Sequence, residues 1–236
     1  MHAEQYTRLC ESLHMMMRCN WWSRAWIIQE IIVPPEVTII YGCLSAPWDM
    51  FVRAAQSYSE HRTSVLNRIP SECDSILNFY TKKILDFRAL RTIWRNSKQP
   101  DLFEILQRFS GRKATDDRDK VYALLGLATP LSLPQHTYFL SIHQPNYSLS
   151  VRQIFQDAVY GIIETTGSHA VLVAQLLRKE RNDLTTWVPD WSTEFHDYDR
   201  FCIRRMTQYN PAPTPSIWLS KSNYPESQRI WLTDRM

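Results

Sequence analysis

The sequence predicts a mainly helical chain with a minor β component. Three observations carry this. Apolar residues recur at helical spacing through most of the 236 residues. Before residue 180 only residues 37–41, VTIIY, form a β-branched run of strand type. The five glycines, at 42, 111, 126, 161 and 167, lie too far apart for a dinucleotide or phosphate-binding loop. That last point argues against a Rossmann or P-loop enzyme.

Residues 3–18 carry apolar side chains at Tyr6, Leu9, Leu13, Met16 and Met17 and predict a helix. Cys19 and Asn20 turn the chain into residues 21–33, WWSRAWIIQEIIV, its densest apolar run. Wound at about 100° per residue, Trp21, Ala25, Ile28, Ile31 and Ile32 share one face, and Trp22, Trp26 and Val33 another. Both sides need cover, so the expectation is a buried helix, capped by Asn20 and ended by Pro34-Pro35. Pro34 also disfavours the α region at Val33. Residues 37–41 read as a buried strand, Gly42 and Pro47 bracket a loop, and Trp48 begins a helix to about residue 66. Helix, strand and helix in that order read as one unit of an α/β domain.

A long helix is expected over residues 72–97, with apolar positions at Ile76, Leu77, Tyr80, Ile84, Leu85, Leu90, Ile93 and Trp94. Pro100-Asp101 opens a short helix ending near Gly111. Residues 112–115 read as a polar linker. Asp116 can cap the next helix, Asp119 suits its N-terminal dipole, and Gly126 helps end it. Residues 128–147 read as an irregular crossing. Ser148 is expected to cap an amphipathic helix with Val151, Ile154, Phe155, Ala158, Val159 and Ile162 inward, and a shorter helix should follow over 169–180. Residues 217–219 and 230–232 could pair as a small sheet across a proline-rich stretch.

Composition narrows the function classes. The hydrophobic fraction is 44%, enough for a real core. The net charge of +3 does not indicate a general polyanion binder, and nucleic acid is not expected as a partner. Five cysteines without CxxC spacing argue for reduced thiols in a cytoplasmic protein rather than a disulfide framework or zinc site. The seven histidines form neither HExxH nor HxH, so no metal is expected. No apolar run approaches the roughly 18 residues of a membrane span.

Glu30 is the residue to explain. An ionised carboxylate among tryptophans and isoleucines needs a partner or a raised pKa. It reads either as a structural glutamate bonded to a neighbouring element or as a catalytic carboxylate in an apolar cleft. Ser23 and Glu30 would share one narrow polar seam of the helix. A second signal is the basic stripe Arg88, Arg91, Arg95 and Lys98, with Lys82 and Lys83 nearby. It reads as a solvated face, or as a site for a phosphate-rich ligand, nucleic acid or acidic protein. The run Asp116-Asp117-Arg118-Asp119-Lys120 is explained by capping and local ion pairs. Trp187 and Trp191 around Pro189 read as a packing plug, with Asp190 hydrogen-bonded locally.

Residues 23–33, SRAWIIQEIIV, resemble the third conserved block of the fungal heterokaryon incompatibility (HET) domain, a remote relative of TIR domains. Residues 117–127, DRDKVYALLGL, and 187–192, WVPDWS, also look like HET proteins. Many TIR domains cleave NAD, with their catalytic glutamate in a similar helix of serine, tryptophan and glutamate. The resemblance therefore implies Glu30 as a candidate catalytic residue supported by Ser23 and Trp26. It implies a role in non-self recognition and programmed cell death, and NAD as a possible substrate of the complete domain, with no resident cofactor. The family's earlier blocks, Ser-Tyr-x-Trp-Gly and one ending Cys-Ile-Asn-Gln, are not in this sequence. The chain is thus expected to be truncated: the C-terminal portion of a HET protein, inactive alone. The expected organisation is a TIR-like α/β remnant over 1–66, a helical region over 67–180 and an irregular C-terminal cap over 181–236. A non-enzymatic protein-interaction module and an inactive gene fragment are the alternatives.

Overall fold

The computed structural model describes residues 2–65, 69–96, 100–128, 145–175 and 179–208. Among them the fold is mainly helical, with one two-stranded sheet. The helices are α1 (His2–Met17), α2 (Ile27–Ile32), α3 (Trp48–Val65), α4 (Ser71–Arg95), α5 (Leu102–Arg108), α6 (Asp119–Leu125), α7 (Val151–Thr166) and α8 (Asp197–Gln208). Two 3-10 turns, Asn20–Ser23 and Ala170–Val173, complete the helical set. The strands are β1 (Thr38–Tyr41) and β2 (Leu44–Pro47). The strand pairs expected at 217–219 and 230–232 lie outside the described residues, as does most of the crossing at 128–147.

The tryptophan stretch is not one helix. It breaks between the 3-10 turn at Asn20–Ser23 and α2. Arg24 is extended, at φ −69° and ψ 147°, and pairs like a short parallel strand with Lys113. The Ala25 amide donates to the Lys113 carbonyl at 2.9 Å, and the Lys113 amide to the Ser23 carbonyl at 2.7 Å. The Arg112 guanidinium adds a bond to the Trp22 carbonyl at 2.5 Å. The residues expected to be a polar linker are therefore a wedge that satisfies the backbone of the break. Asn20 opens the 3-10 turn instead of capping, with Cys19 as the flanking residue. Helix α2 does end before Pro34-Pro35, but Val33 keeps helical angles, at φ −74° and ψ −47°, against the local preference.

The expected α/β unit is instead a hairpin. β1 pairs antiparallel with β2, Thr38 opposite Pro47 and Tyr41 opposite Leu44. Gly42 turns it in the left-handed region, at φ 61°. β1 was expected to be buried, yet only Ile39 of it is. β2 falls where a loop was expected. Strand-like residues with turn chemistry between them met the nearest partner rather than a parallel sheet.

Helix α4 is the long spine. Its buried side is Cys73, Tyr80, Ile84, Phe87, Leu90 and Arg91, and α1, α2 and α3 pack on it. Helix α1 turns Cys10 and Met17 inward, while Tyr6 and Leu9, expected on the apolar face, are exposed. Helix α7 buries Ile154, Phe155, Ala158, Val159 and Ile162 as expected. Its cap is Ser150, not Ser148: Ser150 and Gln153 form a reciprocal capping box, and Ser148 bonds Asn146. Asp101 caps α5 through the Glu104 amide. One continuous core runs from Met17 to Ile203 and crosses both 66/67 and 180/181.

Candidate functional site

The break puts the three residues singled out by the resemblance in different segments, Ser23 in the 3-10 turn and Trp26 and Glu30 at and within α2. Ser23 ends the 3-10 turn, and its hydroxyl donates to the Asn20 carbonyl at 2.8 Å. Trp26 flanks α2 and is half-buried. Glu30 lies on α2 and is exposed, not embedded in an apolar cleft. Its Oε2 accepts a hydrogen bond from the Trp21 indole Nε1 at 2.7 Å. The shared polar seam of Ser23 and Glu30 required a continuous helix, and the Lys113 wedge removes it.

The basic stripe is a structural feature in its inner half. Arg91 is only 7% exposed. Its guanidinium donates to the Ile31, Ile32 and Pro35 carbonyls, the last at 2.9 Å, and Arg95 also reaches Pro35. These are the orphan carbonyls at the end of α2, where the prolines supply no amide to continue the helix. Burial lowers the Arg91 pKa, with Arg95 beside it lowering it further. Arg88 stays exposed, and Lys98 lies outside the described residues.

A different set of cations does converge. A cleft of about 730 Å³ is lined by Lys82, Lys83 and Asp86 of α4, Glu104 and Arg108 of α5, Arg112, Glu194, and Arg200 and Arg204 of α8. Trp22, Ser23 and Phe79 also line it, so the broken tryptophan stretch opens onto it. Lys83 is half-buried beside the Phe79 ring, its Nζ 4.8 Å from the centroid. Burial brings its pKa down to about 8, helped by the nearby Arg112 charge. Burial likewise lowers Arg112 to about 10, against the pull of Asp86 and Glu194. The Arg112 guanidinium lies 5.0 Å from the Phe87 ring and 5.4 Å from Phe109, a cation–π seat that holds it against the floor. Burial pushes Asp86 up, while Arg108, Lys82, Arg112 and Arg200 pull it down. Gly111 shapes the entrance: its φ is 73°, and a Cβ there would come within 2.9 Å of Glu194 Cβ.

The sequence marks Lys82 and Lys83 but not their companions. Arg108, Arg112, Arg200 and Arg204 come from three other segments, and no local pattern joins them. The acidic run forms one local pair, Arg118 with Asp116 at 2.6 Å, as expected, and one long-range pair, Arg181 with Asp117 at 2.6 Å. The residue flanking the start of α6 is Arg118, with no side-chain cap, where Asp116 was expected to cap. Asp190 is fully buried and accepts from the Glu180, Arg181 and Ser192 amides. Trp191 stacks on Phe195 and meets Phe103 edge-on.

Among the described residues no group of histidine, cysteine, aspartate and glutamate side chains is arranged to hold a metal ion. No helix among them is long and apolar enough to cross a membrane. Compared with known protein families, with functionally characterised proteins and with solved structures, the chain matches none.

Proposed function

We propose that this chain is HET-like and acts in fungal non-self recognition and regulated cell death through binding rather than catalysis. The observation that carries the reading is the meeting of the three blocks that resemble that family. They lie far apart in sequence, yet the Gln29 amide of the first donates to the Ala123 carbonyl of the second at 3.0 Å. Ala25 and Ile28 of the first, Lys120 and Leu124 of the second and Trp191 of the third line one small void of about 10 Å³. Arg181, whose amide bonds Asp190 of the third block, pairs with Asp117 of the second. Packing of the three blocks against one another supports reading them as parts of one unit.

Binding takes precedence over catalysis because of Glu30. A catalytic carboxylate for glycosidic cleavage works in a dry, preorganised site. Glu30 is exposed, and one of its oxygens is engaged by Trp21. The test is induced expression of the chain in a filamentous fungus, with dead compartments counted by vital dye. The expected result is death on induction, retained by Glu30→Gln and reduced by Gln29→Ala. Viability equal to an empty-vector control overturns the reading.

A further inference from the structure

We propose that the cleft between α4, α5 and α8 binds a small polyphosphorylated anion, several phosphate groups on one compact frame. Six cations line it, Lys82, Lys83, Arg108, Arg112, Arg200 and Arg204, against the carboxylates of Asp86, Glu104 and Glu194. That formal excess of three equals the net charge of the entire chain, +3. The rest of the sequence is balanced, and the whole surplus is gathered at one concavity.

The geometry selects the class of anion. The cations come from four segments and line one concavity, which suits a compact ligand. An extended polyanion meets charges spread along one face instead. A cleft of about 730 Å³ lies within the range that holds small molecules. Four of the cations are arginines, whose planar forks match phosphate oxygens in pairs. Lys83 and Arg112 are partly stripped of water, and a bound anion would offset the desolvation that burial imposes on their charged forms. Two ion pairs at the cleft are long, Arg108 to Glu104 at 3.5 Å and Arg200 to Asp197 at 3.7 Å, and their carboxylates are exposed. Such pairs are weak and yield to a multivalent phosphate. Phe79 is exposed at the wall, but Lys83 sits over its ring, so the stacking face carries a cation rather than a base.

Calorimetric titration of the full chain at neutral pH and low salt tests this. The probes are inorganic tripolyphosphate and inositol hexakisphosphate, with citrate as a trianion lacking phosphate. Both phosphates should bind and citrate should not. Tighter binding of the inositol compound assigns the frame to a cyclic polyol, and tighter binding of tripolyphosphate to a linear chain. Lys82→Glu, at an exposed position, should weaken binding by about tenfold. Arg53→Glu makes the same charge change on α3, away from the cleft, and should alter affinity by less than about twofold. Asp86→Asn, checked for an intact fold by circular dichroism, should tighten binding by removing a competing carboxylate. The proposal is overturned by no binding of either phosphate, equal binding of citrate, equal losses in Lys82→Glu and Arg53→Glu, or weaker binding by folded Asp86→Asn. Tighter binding of single-stranded RNA than of tripolyphosphate also overturns it, and gives the cleft to nucleic acid.

Discussion

The Trp21 indole N–H donates to the Glu30 carboxylate across the break in the tryptophan stretch, 2.7 Å from Nε1 to Oε2. The two residues belong to different helical segments, so this bond ties the 3-10 turn to α2. It is a charge-assisted bond at a solvent-exposed carboxylate. Trp21→Phe keeps the ring bulk and removes the donor, and should cost about 1 kcal/mol. Glu30→Gln should cost less, because an amide oxygen still accepts. Urea unfolding curves check both. An unchanged midpoint for Trp21→Phe would show that the bond adds nothing in solution.

Arg91 and Arg88 share one helix and differ in what removal leaves behind. Arg91→Met keeps the packed stem but abandons the Ile31, Ile32 and Pro35 carbonyls at a buried helix end. The expected loss is about 3 kcal/mol. Arg88 is exposed, and Arg88→Met should stay within about 0.5 kcal/mol. Chemical denaturation of the two variants separates the structural from the solvated part of the stripe. Equal midpoints would contradict the capping role.

Stability should also depend on pH through the junction of α3 and α4. Asp74 accepts from Arg62 at 3.1 Å, from Asn78 at 2.8 Å and from the Tyr58 hydroxyl. Arg62, then Tyr58, hold the Asp74 carboxyl below the usual carboxylate range. A lowered folded pKa contributes stability above the unfolded value, and that stability is lost as pH falls through the folded one. Tyr58 runs the other way: burial and the Asp74 bond push it up to about 12. Its contribution is complete below about pH 10, the unfolded value, and is lost as pH rises toward the folded one. Thermal melts of Asp74→Asn should therefore show a flatter acid limb than wild type, below about pH 4. Tyr58→Phe should flatten the alkaline limb. Parallel pH profiles for wild type and Asp74→Asn would refute the first expectation.

The tryptophans rank by burial. Trp22 is 2% exposed and packs edge-on against Trp21, with ring centroids 4.8 Å apart. Trp26 is half-buried at the flank of α2. Trp22→Ala should cost about 3–5 kcal/mol, the range for a buried large aromatic, and Trp26→Ala clearly less. Equal losses in denaturant midpoint would instead fit the single helix its periodicity suggests, in which both tryptophans share a face.

What the sequence made legible follows the range of the interactions involved. The amphipathic helices α4 and α7 were readable because their apolar spacing is a local property. The cap of α7 was misplaced by two residues: Ser148 and Ser150 offer the same hydroxyl, but only Ser150 has a glutamine three residues on, Gln153, to close the box, while Ser148 turns to Asn146. The break at Arg24 was not readable. Residues 21–33 carry a helical pattern throughout, and it is Lys113, distant in sequence, that draws the backbone out of the helix. The cleft was hidden for the same reason, because its cations come from four segments. Arg91 misled by composition: arginine at helical spacing reads as a solvated face, while its three carbonyl partners belong to another element.

The last expectation concerns activity. Cleavage of the bond between nicotinamide and ribose builds positive character on the sugar, which a nearby carboxylate can stabilise. The resemblance gives that task to Glu30, with Ser23 and Trp26 in support. The geometry supplies the carboxylate but engages its companions elsewhere, Ser23 with the Asn20 carbonyl and Trp26 against the core at the flank of α2. Orientation of bound substrate accounts for roughly 7–11 kcal/mol of such a barrier, and a lone exposed carboxylate supplies none of it. The 236-residue chain incubated with NAD should therefore release no nicotinamide above background, and Glu30→Gln should give the same trace. Chromatographic measurement of nicotinamide decides it. Release by the wild-type chain that disappears in Glu30→Gln would restore the catalytic role of Glu30 and overturn the binding reading.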